Sequence, residues 1–109
     1  MKSVWIIDAE HWPRALLRAE LIERGFDAVG FVAVDDALRT IPARWPDAIV
    51  VELRTLARRE AERLFGASIP VIGIAPASHE PWIDALPFAK VFRRPVSIGE
   101  IADFVLALY

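Results

Sequence analysis

Cysteine is missing from this chain altogether, which excludes disulfides and thiolate metal sites and fits a reducing compartment. Glycine is sparse, and its five copies stand singly. Basic excess is missing too: 13 Lys and Arg face 15 Asp and Glu, a formal charge of −2, so there is no electrostatic footprint for nucleic acid or an anionic membrane. No N-terminal stretch joins basic residues to an apolar run of signal length and a cleavage site, and no apolar run is long enough to span a bilayer. Repeats, linkers and low-complexity tracts are likewise absent. The expectation is one cytoplasmic domain over residues 1–109, with no direct nucleic-acid or membrane contact.

What is present is apolar residue in quantity. At 55% of 109 residues it supports a real core, and a chain of this length buries roughly two-thirds of its unfolded surface. Apolar runs of four or five residues alternate with longer segments of helical period, the pattern of a parallel sheet with helices on both faces. Strands are predicted at Val4 to Asp8, Phe26 to Ala33, Ala48 to Glu52, Val71 to Ala75 and Lys90 to Arg93. Helices are predicted from Pro13 to Arg24, with Pro13 in the first helical position and Gly25 as the stop, and from Asp36 to Ile41. A third runs from Leu56 to Phe65 and closes at Gly66. The segment from Pro76 to Pro87 carries three prolines and has room for only a turn or two around Pro81 to Leu86. Ser97 and Glu100 have capping-box spacing ahead of a last helix reaching about Leu108. The fold class is therefore α/β, a flavodoxin-like doubly wound sheet of five parallel strands in the order 2-1-3-4-5, with a shortened fourth helix.

In such a sheet the C-terminal strand ends share one crevice, which collects Asp8 and Glu10 after the first strand, Glu52 after the third, and Arg94-Pro95 after the fifth. Here the chain resembles the receiver domain of two-component response regulators over nearly its whole length. Val-Trp-Ile-Ile-Asp-Ala-Glu at 4–10 resembles the family's first strand and acidic pair, and Pro46 to Arg54 the strand bearing the phosphorylated aspartate. Ile69 to Ala75 is similar to the strand ending in the switch Ser or Thr, and Phe92-Arg93-Arg94-Pro95 to the one ending in Lys-Pro.

The resemblance implies a carboxylate nucleophile, a Mg²⁺ ion bridged to the acidic pair, and a Lys and a hydroxyl for the phosphoryl oxygens. Almost every part is altered here. The acceptor position holds Glu52, one methylene longer than the family aspartate, and the second acid of the pair is Ala9. The switch positions hold Ala75, without a hydroxyl, and Val91, without an aromatic ring. Arg94 keeps the lysine's charge but offers a planar fork suited to carboxylates. These departures lead us to expect a degenerate receiver that works without phosphorylation, with weak or absent Mg²⁺ binding, no cofactor and no enzymatic activity.

For Glu52 two readings stand. Its carboxylate either approaches Arg94 or the crevice amides as a built-in phosphoryl substitute, worth roughly 1.5 to 3 kcal/mol, or forms a solvated relic pair worth under about 1 kcal/mol. The expected partner is a protein, a kinase or a transcriptional regulator, with a homodimer through the apolar last helix as a further expectation. Trp5 belongs in the core, whereas Trp12, Trp45 and Trp82 stand at loop or helix-entry positions suited to an interface. His11 and His79 are isolated residues without metal-site spacing, and Arg58, Arg59 and Arg63 belong to a solvated mixed-charge face.

The main alternative is an orthodox phosphorylatable receiver, cut from a longer DNA-binding regulator. A start at Met1 just before the first strand fits a stand-alone module equally well. A hydrolase using Asp8 as nucleophile lacks the accompanying hydroxyl and lysine at Ala75 and Arg94. A flavin or nucleotide carrier lacks a glycine-bearing phosphate loop at 9–13.

Overall fold

The computed structural model describes residues 1–78 and 80–109; His79 lies outside them. Five parallel strands form one sheet: β1 (Ser3–Ile7), β2 (Asp27–Phe31), β3 (Ala48–Glu52), β4 (Val71–Ala75) and β5 (Lys90–Arg93). Their order is β2-β1-β3-β4-β5, as the alternation of elements implied. The chain therefore reverses direction across the sheet between β1 and β3, where the register pairs Ile7 with Val51 and leaves the strand ends side by side.

Every residue of β1, β3 and β4 is buried, which is why these runs are continuously apolar rather than alternating. The strand period of two divides them between two cores. Val4, Ile6, Val50, Ile72 and Ile74 pack under α1 (His11–Glu23) and α5 (Ile98–Ala107). Trp5, Ile7, Ile49, Val51 and Val71 pack on the other face, under α2 (Val34–Thr40), α3 (Arg58–Glu62) and the single-turn α4 (Pro81–Asp84).

Several predicted boundaries move. Helix α1 begins two residues before Pro13, at His11; proline is accepted anywhere in the first turn because those N–H groups have no helical partner. Gly25 follows the helix with φ +93°, the left-handed value that makes it a stop. Strand β2 stops at Phe31, and α2 starts at Val34 with Asp35 and Asp36 in its first turn. The long third helix is not continuous: α3 ends at Glu62 and tightens into a 3₁₀ turn, Arg63–Ala67. Gly66 lies within that turn, and the left-handed residue that ends it is Ser68.

The capping box at α5 forms as its spacing requires. Ser97 Oγ accepts the Glu100 N–H at 3.1 Å, and Glu100 Oε2 accepts the Ser97 N–H at 3.2 Å. Helix α5 buries Ile101, Ala102 and Val105, and Phe104 meets Phe92 edge to face, so most of its apolar surface is consumed within the molecule. Leu106, Leu108 and Tyr109 remain at the surface. Trp82 is packed against the second core rather than presented outward, while Trp12 and Trp45 are exposed. Among the described residues no helix is long and apolar enough to cross a membrane.

Candidate functional site

The crevice at the strand ends is filled by a network of acids and arginines. Asp8 follows β1 directly, and its own N–H is held by the Phe31 carbonyl at 3.0 Å, which ties the loop to β2. Its Oδ1 accepts the Glu10 N–H at 2.9 Å, and its carbonyl accepts Arg14 Nη1 at 2.8 Å. Arg14 reaches across the sheet edge because residue 30 is glycine; a Cβ there would stand 3.0 Å from the arginine stem. Ala9 and Glu10 are exposed.

Glu52 ends β3 with its side chain only 4% exposed. A buried carboxylate must have partners, and both oxygens have them. Oε2 accepts Arg94 Nη2 in a charge-assisted bond, and Oε1 accepts the Arg54 backbone N–H at 2.9 Å. Arg94 is held in turn by its N–H on the Ala75 carbonyl at 3.0 Å, so β4 and β5 present the guanidinium to β3. The Arg94-Pro95 peptide is cis. Arg94 is 36% exposed, pairs through Nη2 with Glu52, and its Nε is buried without an acceptor among the described residues.

Arg54 is the participant that sequence reasoning left without a role. Two residues beyond Glu52, it turns back over the crevice, with Nη2 2.8 Å from Glu10 Oε1 and 4.0 Å from Asp8 Oδ1. The only signal for it in the sequence is a basic residue just past a strand-end acid. The site therefore gathers Asp8, Glu10 and Glu52 around Arg54 and Arg94, a net charge of −1. Burial raises the Asp8 carboxyl above its ordinary pKa, with Glu52 and Glu10 adding to the rise and the Glu10 N–H and Arg54 opposing it.

The remaining predicted positions fall where the topology requires. Ala75 is wholly buried at the end of β4 and offers its carbonyl to Arg94. Val91 is half-buried against the second core, while Phe92 faces α5. Pro95 is exposed beside Arg94. The solvated rim pair is not what the structure holds, because Glu52 is buried and only Arg94 reaches water. His11 meets Trp12 edge to face at the start of α1, and Arg58 and Arg63 pair with Glu62 and Asp35 on an exposed surface.

No family model and no curated protein matches this sequence. Solved structures do match its shape. The receiver domain of the Francisella response regulator 1452 superposes with a TM-score of 0.83 at 20% identity, covering 100% of this chain and 97% of that one. A response regulator receiver protein from Burkholderia phymatum gives 0.80 at 21%, over 99% and 94%. NtrX from Brucella abortus gives 0.80 at 19%, over 99% of this chain and 27% of that longer one. The architecture is thus the CheY-like receiver fold, the class that the strand order and the strand-end crevice define.

That fold implies a Mg²⁺ ion among the strand-end carboxylates. The groups present do not fit it as arranged: residue 9 has no oxygen, both Glu52 oxygens are engaged, and the Arg54 guanidinium lies between Glu10 and Asp8. Among the described residues no cluster of three or more His, Asp or Glu side chains is arranged to hold a metal ion.

Proposed function

We propose that this chain is a receiver-like signalling module that acts without phosphorylation, through protein contacts, in two-component or transcriptional regulation. Glu52 serves as the resident anion of the crevice. A phosphoryl group on a receiver brings negative charge to the cation at the fifth-strand end; here a buried carboxylate already sits against Arg94. That contact is the observation carrying the reading. Both Glu52 oxygens are held by hydrogen bonds on a side chain one methylene longer than the family aspartate, which works against in-line attack on a donor, and no hydroxyl stands at Ala75 to report a new anion.

On this reading the module binds no metal or cofactor, catalyses nothing and works in the cytoplasm. Its partner is a kinase or a transcriptional regulator that recognises one persistent conformation. A charge-assisted bond of roughly 1.5 to 3 kcal/mol is enough to bias two states separated by a few kcal/mol. The test is incubation with acetyl phosphate and Mg²⁺ followed by intact-mass measurement, with tryptophan fluorescence followed during addition of beryllofluoride. The expected result is an unchanged mass and a flat titration. A hydroxylamine-sensitive adduct of one phosphate would make the chain an orthodox receiver instead.

A further inference from the structure

Beside the charged crevice, and independent of the reading above, lies an apolar cavity of about 240 Å³ between α1 and α5, floored by the ends of β1, β3 and β4. Its walls include Leu16, Leu17, Val96, Ile98 and Ile101, and the charged residues lining it are Asp8, Glu52 and Arg94, which meet at the strand ends. At the rim stand two side chains that are unusually open for their size, Trp12 at 70% and Leu16 at 53%. We propose that this cavity is a binding site for a small neutral molecule: a single aromatic or alicyclic ring bearing one carbonyl oxygen.

Size sets the first limit. A dry cavity of about 150 Å³ lined by aliphatic and aromatic groups takes benzene, so one of 240 Å³ takes a ring with a short substituent. Polarity sets the second. Arg94 is partly exposed and gives Glu52 a single bond from Nη2, so its remaining terminal N–H groups can meet an acceptor at that end of the ligand. Charge sets the third: Asp8 and Glu52 flank the same end, and Glu52 already neutralises Arg94, so an anionic head meets net repulsion where a carbonyl does not. The exposed Trp12 indole supplies an aromatic wall at the mouth. An occupant touching Arg94 touches the side chain that holds Glu52, so occupancy and the state of the crevice share one residue.

The intact chain is titrated with acetophenone and, separately, with benzoate, which matches it in size but carries a charge, while backbone amide resonances are followed. Acetophenone is expected to bind with a dissociation constant on the order of 1 mM, shifting residues 6–8, 12–17 and 94–101 and leaving the α2 and α3 face still. Benzoate is expected to bind at least about tenfold more weakly. Leu16→Trp, which fills the rim from an exposed position and leaves the core intact, is expected to abolish the shifts without changing the unfolding midpoint. Absence of saturable shifts with acetophenone, shifts scattered over the surface, or benzoate binding as tightly each overturns the site. Because the wild-type titration is decisive alone, a misfolded variant does not rescue the proposal.

Discussion

Replacing Glu52 by Gln isolates the charge at the centre of the site. The side chain keeps its volume, so no cavity forms, and its amide oxygen still accepts the Arg54 N–H that Oε1 now takes at 2.9 Å. What is lost is the negative charge opposite Arg94. Stripping one partner from a fully buried pair costs about 3 to 5 kcal/mol. Arg94 is 36% exposed, however, so its stranded charge rehydrates and the cost falls toward that of a charge-assisted hydrogen bond, about 1.5 to 3 kcal/mol. For a domain of this size each kcal/mol lowers the midpoint temperature by about 4 °C, giving a drop of about 6 to 12 °C. Urea unfolding followed by tryptophan fluorescence measures the same loss as a lower midpoint at unchanged slope. The exposed Arg58 and Glu62 pair is the internal control: Arg58→Gln is expected to cost under about 0.5 kcal/mol. In 1 M salt, where the Debye length is about 3 Å, most of the Glu52→Gln effect is expected to persist because one partner is buried. A Glu52→Gln protein as stable as wild type, with unmoved amide resonances in α4, β5 and α5, refutes the resident-anion reasoning.

Other outcomes follow from the same geometry. Asp8 has a folded-state pKa raised chiefly by burial, so its ionisation opposes folding at neutral pH and stops doing so as pH falls below the unfolded value; Asp8→Asn is expected to stabilise at pH 7, with the advantage over wild type shrinking on acidification in thermal melts. Gly73→Val is expected to destabilise by about 1 to 3 kcal/mol, because a Cβ added at Gly73 would stand 2.9 Å from Leu53 and 3.2 Å from Phe88; chemical denaturation measures it. Ser97→Ala is expected to cost about 1 kcal/mol by removing the Oγ that accepts the Glu100 N–H, with faster amide exchange in the first turn of α5. Glu52→Asp alone is expected to stay unphosphorylated by acetyl phosphate in intact-mass assays, since Ala9 and Ala75 still lack the oxygens the reaction uses.

Local chemistry in the chain determined the strands and their order. Runs such as Ala48 to Glu52 are too short and too uniformly apolar for anything but a doubly covered strand, and alternation with helices leaves few topologies for 109 residues. The capping box at Ser97, the stop at Gly25 and the meeting of Asp8, Glu52 and Arg94 at one crevice followed from the same residues. Helix α3 is shorter than its apolar period predicts because the pattern does not register the tightening of the chain into the 3₁₀ segment that buries Leu64 in the second core.

Only the tertiary structure decided which groups face each other. Arg54 stands two residues past Glu52, yet its contacts are with Glu10 and Asp8, to which the turn after β3 carries it. The burial of Glu52, which separates an engaged carboxylate from a solvated one, depends on its place at the end of a central strand between β1 and β4 and is invisible in a single side chain's identity. The cavity beside it belongs to the gap left where α1 and α5 meet the sheet. Periodicity tells which face of an element is apolar, because that is a property of consecutive residues; the distance between a carboxylate and a guanidinium 42 positions apart is set by packing, a property of the whole fold.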